Sequence, residues 1–425
     1  MQRRDILKAG ALTGAALGLG LLPVGRHAWA ALADPVTERP RRLVVLMLRG
    51  AVDGLSIVVP YADPGYARAR SSIALGRPGS QGGVLDLDGR FGLHPALEAM
   101  MPLWSSGKLA FVQACGSPDT TRSHFDAQDY MESGTPGRKT TPDGWLNRLV
   151  GVLPVPTKGI TATRAVSIGP VLPRIYAGAN AVANIASGNA ATRPTVLDQP
   201  AVGQAFDKLY SADDKLSRAY QASRQSRREV MGSLQSADAM EREMKAANNG
   251  APLPNGFVED ATRLATLMRN DARVQLAFMD LGGWDTHANQ GASSGQLANR
   301  LNPVGSGLAA MAARLGPVFE DTVVVVMSEF GRTVRQNGNG GTDHGHGNVM
   351  WLLGGAVAGG AVHGRWPGLD ASALYEGRDL AVTTDFRSVL AELLERHMLL
   401  GDQQLDKVLP QFRAPEGLPG VIRAV

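Results

Sequence analysis

Cysteine is nearly missing from these 425 residues: Cys115 stands alone, so no disulfide within the chain can brace the fold, whatever the redox compartment. Aromatic residues make up only 5% of the sequence, and no basic patch carries interleaved aromatics, which argues against nucleic acid as a partner. No G-x-x-x-x-G-K-[ST] loop occurs and no G-x-G-x-x-G follows the first apolar run, so nucleotide-dependent chemistry is disfavoured. No repeat at solenoid or propeller period is visible. The apolar segment from Ala11 to Gly25 is shorter than the roughly 20 residues a spanning helix needs, so no stable membrane span is expected in the mature chain.

That segment reads instead as an export signal. Arg3, Arg4 and Lys8 precede it, and small residues spaced A-x-A follow at Ala28–Ala30 or Ala31–Ala33. Arg3-Arg4-Asp5-Ile6-Leu7-Lys8 resembles a twin-arginine signal, an address read by the twin-arginine export machinery, which carries folded proteins. Residues 1–30 are therefore expected to be removed, leaving a periplasmic or secreted chain. The formal charge of +4 then loses four basic residues and one acidic residue, which leaves 39 against 38 and a net charge of +1.

The remaining chain is long enough for a large α/β core. Leu43–Leu48, Leu109–Ala114, Ala165–Ile168, Val274–Asp280, Val323–Met327 and Val349–Leu353 are short apolar runs that predict strands, several buried on both faces. Helices are predicted from Ala96 to Trp104, Ser123 to Met131, Phe257 to Arg269, Leu297 to Leu315, and from Asp385 to about Leu400. Residues 140–205 are rich in Gly, Pro and Ala. About 206–248 is charged, alanine-rich and free of proline, and predicts a helical insertion in a domain spanning 31–425. Strands alternating with helices predict an α/β domain with a mostly parallel sheet, and ligands in such sheets gather beyond the strands' carboxyl ends.

Those ends carry chemistry. Val323–Met327 runs into Glu329, and a glycine-rich loop then delivers Asp343, His344 and His346. Asp53 follows the first strand, and Asp285 and His287 follow Val274–Asp280. Carboxylates and imidazoles from four loops are the donors that Zn²⁺ or Mn²⁺ prefer, with Mg²⁺ or Ca²⁺ open where oxygens dominate. The set is large enough for two ions sharing an anionic ester, an arrangement suited to displacement at phosphorus or sulfur. Asp119–Phe125 follows one strand and opens a helix, so its backbone N–H groups face an anion's position. There Ser123, or Thr121, is a candidate nucleophile, with Arg122 and His124 as partners of the anion. Ser123 as a helix cap, with His124 supporting a ligand, is an equal reading. Arg332 fits an anion clamp or, better, a structural ion pair; His94 and His363 read as loop or core histidines, and His397 as a histidine near a helix end, favoured there by the helix dipole.

The motifs RGAVDGLS, GLHPAL, SHFDAQDYMESG, GGWDTH, SEFGRT, GTDHGHGN and TTDFR, spread from about Leu43 to Leu400, resemble the bacterial family catalogued as domain of unknown function 1501. That family is grouped with the alkaline-phosphatase and sulfatase superfamily. The resemblance implies a three-layer α/β/α sandwich with a dinuclear metal site, in which Asp53 matches the first-strand metal aspartate and Asp285 with His287 a ligand pair. Glu329 and Phe330 fall where an Asp-His pair is common, and Asp343 to His346 supply the remaining ligands. The expectation is an exported metal-dependent hydrolase of phosphate or sulfate esters, with Ser123 as nucleophile. The alternative is a non-catalytic exported metal-binding or cell-envelope protein with the same fold.

Overall fold

A computed structural model describes residues 40–154, 162–187, 244, 246–415 and 419–423. The export segment and most of the helical insertion expected at about 206–248 lie outside the described residues. Among those described, nine strands form the main sheet: β1 (Arg42–Leu48), β2 (Leu109–Gly116), β3 (Ala165–Ile168), β4 (Ala183–Ile185), β5 (Leu276–Leu281), β6 (Thr322–Met327), β7 (Asn348–Gly354), β8 (Ala361–His363) and β9 (Thr384–Asp385). Their order is β8-β2-β7-β6-β1-β5-β3-β4, with β9 paired to β2 off this path. Central β1 runs parallel to both neighbours, Leu46 lying opposite Met279 and Val326. Only β7 is reversed, antiparallel to β2 and β6. The sheet is thus mostly parallel, as the pattern of apolar runs predicts.

Successive side chains of a strand point to opposite faces, and β1 shows the result. Val44, Leu46 and Leu48 belong to one buried cluster, Leu43, Val45 and Met47 to another. The first cluster takes in α3 (Phe257–Asn270) and α4 (Gln296–Leu315) through Leu264, Leu301 and Leu308. The second takes in α2 (Trp145–Val152), α5 (Phe386–Glu392) and α6 (Asp402–Val408) through Leu149, Val389 and Val408. Helices on both faces make three layers, and each buried aliphatic side chain contributes roughly 1.5–3 kcal/mol.

Three elements differ from the sequence reading. α2 falls in the stretch read as Gly-, Pro- and Ala-rich, where Gly151 dilutes an otherwise helical apolar pattern. The last predicted helix leaves α geometry at Glu392, continues as a π-helical turn over Leu393–His397, and a separate α6 follows. The reversal of β7 is invisible in its sequence, because an apolar run reads alike in either direction.

Direction decides where the polar loops meet. The carboxyl ends of β1, β2, β5 and β6 share one edge, and β7 starts at that edge. Arg49–Asp53, the segment leading to His124, Gly282–His287, Ser328–Arg332 and Asp343–Gly347 are therefore delivered to one place.

Candidate metal centre

Asp285 sits at the middle of this edge and is buried. It arrives there because Gly50 lets the turn after β1 come close: φ is +112° at Gly50, and a Cβ would lie 2.9 Å from the Asp285 amide nitrogen. The buried Arg332 then locks the two loops together. Its guanidinium donates to the carbonyls of Gly50, Ala51 and Thr342, and its Nη2 reaches Asp285 Oδ1 at 2.5 Å. Of the two sequence readings of Arg332, this is the structural ion pair. Glu329, two residues beyond β6, is also buried, and its Oε1 accepts from the Gly50 amide (2.8 Å), Gln128 Nε2 (2.9 Å) and His124 Nδ1 (2.8 Å).

Three imidazoles surround Asp285. The Nε2 atoms of His287, His344 and His124 lie 2.9, 3.2 and 3.6 Å from its Oδ1. His344 Nε2 is 3.0 Å from both His124 Nε2 and His287 Nε2. Each ring's other nitrogen faces an acceptor: Nδ1 of His124 faces Glu329 (2.8 Å), that of His287 faces Asp343 (3.1 Å), and that of His344 faces the Arg122 carbonyl (3.0 Å). An acceptor at Nδ1 puts the proton there in the neutral ring and leaves the lone pair on Nε2. Three Nε2 atoms, each able to offer a lone pair once its proton is displaced, therefore converge with a carboxylate. Among the described residues, Asp285 Oδ2 is buried with no hydrogen-bond partner, a state a native fold seldom leaves unexplained.

These are the features of a metal site. His124, Asp285 and His344 offer ligand atoms within 4.8 Å of one another. An ion about 2.0–2.1 Å from each nitrogen in tetrahedral array sets ligand atoms roughly 3.3 Å apart, close to the spacings here. Imidazoles that ligate through one nitrogen while donating the other to a carboxylate or carbonyl are the usual outer support of such a site. His287 and His344 side chains are each 19% exposed, so the cluster opens to solvent.

The charges agree with the contacts. Burial pushes the Asp285 carboxyl up, but the three imidazoles and Arg332 outweigh it and hold Asp285 well below the usual carboxylate range. Burial likewise opposes ionisation of Glu329, yet His124 and Gln128 bring it down to about 2. His124 is disfavoured as a cation by burial, but hydrogen bonds to Asp285 and Glu329 raise it to about 9. The hydrogen bond to Asp285 raises His287 as well. A metal ion bound here would displace the protons that these contacts favour on His124 and His287.

The other predicted residues divide. Asp343 reaches the cluster through His287. Asp53 is fully buried and taken up elsewhere: Arg70 grips both its oxygens, and Ser56 Oγ (2.8 Å) and Gln290 Nε2 (2.7 Å) donate to Oδ2. The structure does not bring Asp53 into the imidazole cluster, because Arg70 supplies its countercharge. His346 packs its ring 4.7 Å from Tyr375, outside the convergence. Ser123 is exposed and caps α1 (His124–Ser133), accepting from the Asp126 amide at 3.5 Å, and Thr121 Oγ1 accepts from the Ser123 amide. The Arg122 guanidinium faces Asp379 and Glu376. Phe330 packs against the rings of His124 and His344, 4.9 and 5.2 Å away, and forms an apolar wall.

The sequence reading undervalued His124. It treats this residue as an anion partner or a supporting group, whereas its Nε2 lies among the donors. The available signal was its place at the first turn of a helix following a parallel strand, the same edge as the other loops. Gln128 and Asp379 were missed outright, since neither stands in a motif of metal-ligand type.

Fold and site together define a mixed α/β domain, with a large, mostly parallel sheet and a candidate His/Asp metal centre at its carboxyl edge. The chain belongs to the family described as Protein of unknown function (DUF1501), which matches residues 40–409. No curated protein matches it. Among solved structures it is similar to Ps i-CgsB in complex with k-i-k-neocarrahexaose (9% identity, covering 87% of this chain and 74% of that one, TM-score 0.35). It is also similar to the C-terminal periplasmic domain of EcEptC from Escherichia coli in complex with Zn (11%, 76% and 74%, TM-score 0.34). A third likeness is to a protein in the alkaline phosphatase superfamily from Vibrio parahaemolyticus (11%, 75% and 60%, TM-score 0.33).

Proposed function

We propose that this chain is an exported metal-dependent hydrolase of phosphate or sulfate esters, in which His124, His287, His344 and Asp285 hold a divalent ion. The supporting observation is the gathering of three imidazole Nε2 atoms within 2.9–3.6 Å of Oδ1 of a carboxylate whose Oδ2, among the described residues, is buried and unpartnered. Three nitrogens and one carboxylate suit Zn²⁺ or Mn²⁺ better than Mg²⁺ or Ca²⁺. A bound ion would supply Lewis acidity toward an ester oxygen and lower the pKa of water at the site.

The chain's own residues do the rest. Glu329, Asp343 and the Arg122 carbonyl fix the three rings, and Arg332 fixes Asp285. Phe330, packed with the buried residues Ala51 and Ala127, forms a dry wall on one side. The attacking oxygen belongs to Ser123 or to water. A second ion, expected from sequence with Asp53, would need Asp53 to exchange Arg70 for metal, so the proposal holds one ion.

Ser123 acting as a cap and Asp53 bound to Arg70 favour one other reading, a non-catalytic metal-binding or cell-envelope protein. A panel of phosphate and sulfate esters, assayed with Zn²⁺, Mn²⁺, Mg²⁺ and Ca²⁺, separates the two. Hydrolysis lost in Asp285→Ala and His344→Ala supports the enzyme; a metal-loaded protein inert on every ester supports the alternative. Export is tested separately: Arg3→Lys with Arg4→Lys should retain the chain in the cytoplasm.

A further inference from the structure

We infer that Asp379 is a positioning residue for the metal centre, setting the orientation of His344 through Arg122 and Arg378. This rests on the proposed metal site and goes beyond it.

Asp379 is buried, at 0% exposure, in the segment that leads to β9. Its backbone is pinned by a two-way exchange with Tyr375, 2.9 and 3.0 Å, and by a bridge to Thr333. Its carboxylate holds two guanidiniums. Oδ2 accepts from Arg122 Nη2 (2.7 Å) and Nε (3.2 Å) and from Arg378 Nη2 (3.1 Å), while Oδ1 accepts from Arg378 Nε (2.9 Å). Both arginines also touch His344, from opposite ends. The Arg122 carbonyl accepts from His344 Nδ1 at 3.0 Å, and Arg378 Nη2 donates to the His344 carbonyl at 2.8 Å. One buried carboxylate thus fixes both the ring's acceptor and the residue's main chain.

The clamp matters because His344 differs from its two companions. His124 and His287 rest their Nδ1 atoms on carboxylates, Glu329 and Asp343, whereas His344 rests on a peptide carbonyl. A carbonyl can orient a ring only as well as its own segment is held. Among the described residues, the hydrogen bonds within Ser117–Ser123 are local: the Asp119 amide to Ser117, the Thr121 amide to Asp119, the Ser123 amide to Thr121. The Arg122 side chain carries the tie from this segment to another part of the fold, and its deep end is Asp379; Glu376 meets the same guanidinium from the surface, 54% exposed. A surface pair of that kind is worth little, while a buried carboxylate holding two forks is rigid.

The test measures ion affinity and ligand geometry, not turnover. Zn²⁺ dissociation constants by chelator competition, and the visible spectrum of the Co²⁺-loaded protein, are compared for wild type, Asp379→Asn and Arg122→Gln. Both variants keep the Arg122 carbonyl but free the segment that carries it, so Zn²⁺ binding should weaken measurably, by up to the roughly 10-fold lower end of what loss of a direct outer partner costs, and the Co²⁺ bands should shift. Arg413→Gln, which breaks an exposed pair with Asp406, should change neither. Should Asp379→Asn fail to fold, Arg122→Gln carries the test, its side chain being 30% exposed. Unchanged affinity and spectrum in the folded variants overturn the inference alone. A wild type that binds no ion overturns the metal site and this inference with it.

Discussion

Two buried polar clusters lie at the carboxyl edge of this sheet, built from similar parts. In one, Asp53 meets Arg70, Ser56 and Gln290, and Gln290 passes the network on to Thr286 and Thr342 through 2.8 and 3.0 Å bonds. Both oxygens of Asp53 are satisfied. In the other, Asp285 meets Arg332 and three imidazoles, yet among the described residues Oδ2 has no partner, and His344 Nε2 faces the Nε2 atoms of both His124 and His287. Both carboxylates follow a parallel strand, and both are paired with a buried arginine. What separates them is satisfaction. A closed network holds the fold together, whereas an open one of donors with lone pairs to spare invites a ligand.

That contrast can be broken experimentally. The largest effect is expected at the open cluster. Asp285→Ala should reduce Zn²⁺ affinity by more than the roughly 10- to 100-fold typical of an outer partner, read by chelator competition. Next is the closed cluster, where Asp53→Asn leaves Arg70 buried without its countercharge. It should cost about 3–5 kcal/mol in denaturant unfolding, while ion affinity of the folded protein stays at the wild-type value. A parallel fall in ion affinity would place Asp53 in the site after all.

A third prediction uses histidines remote from the open cluster. His94 and His397 are fully buried, and burial brings each down to about 4 despite a backbone hydrogen bond. Above the unfolded value of about 6.5 these two histidines are neutral in both states and their contribution to stability is constant. Between about 6.5 and 4 the unfolded chain takes up the proton and the fold does not, so stability falls by roughly 3 kcal/mol per histidine. Unfolding at pH 6.5, 5.5 and 4.5 is compared for wild type and His397→Gln, in which the fall should be smaller; an equal fall in both contradicts the assignment. The smallest effect belongs to Ser123→Ala, at most about 1 kcal/mol for a cap with so long a hydrogen bond. Its ion affinity should not move, so any loss of ester turnover identifies Ser123 as nucleophile.

The fold was legible in sequence where one short-range pattern decides it. Apolar β-branched runs such as Val323–Met327 have few other structures open to them, and polar residues just past their ends marked the edge. What sequence could not supply was the partner across the gap. Nothing near Asp53 announces that Arg70 will close over it, and the ring of His124 meets Glu329 across 205 residues of chain. His346, so near His344 in sequence, packs on Tyr375 instead, a partner 29 residues away that nothing beside His346 announces. Asp379 was invisible because its role passes through two arginines to a third residue.

The most direct test is elemental analysis of purified wild-type and Asp285→Ala protein, each equilibrated with Zn²⁺ and Mn²⁺ and freed of loosely held ions. The structure predicts about one tightly bound ion per wild-type chain and none in the variant. A wild type that retains no ion, or a variant that retains as much, contradicts the metal centre.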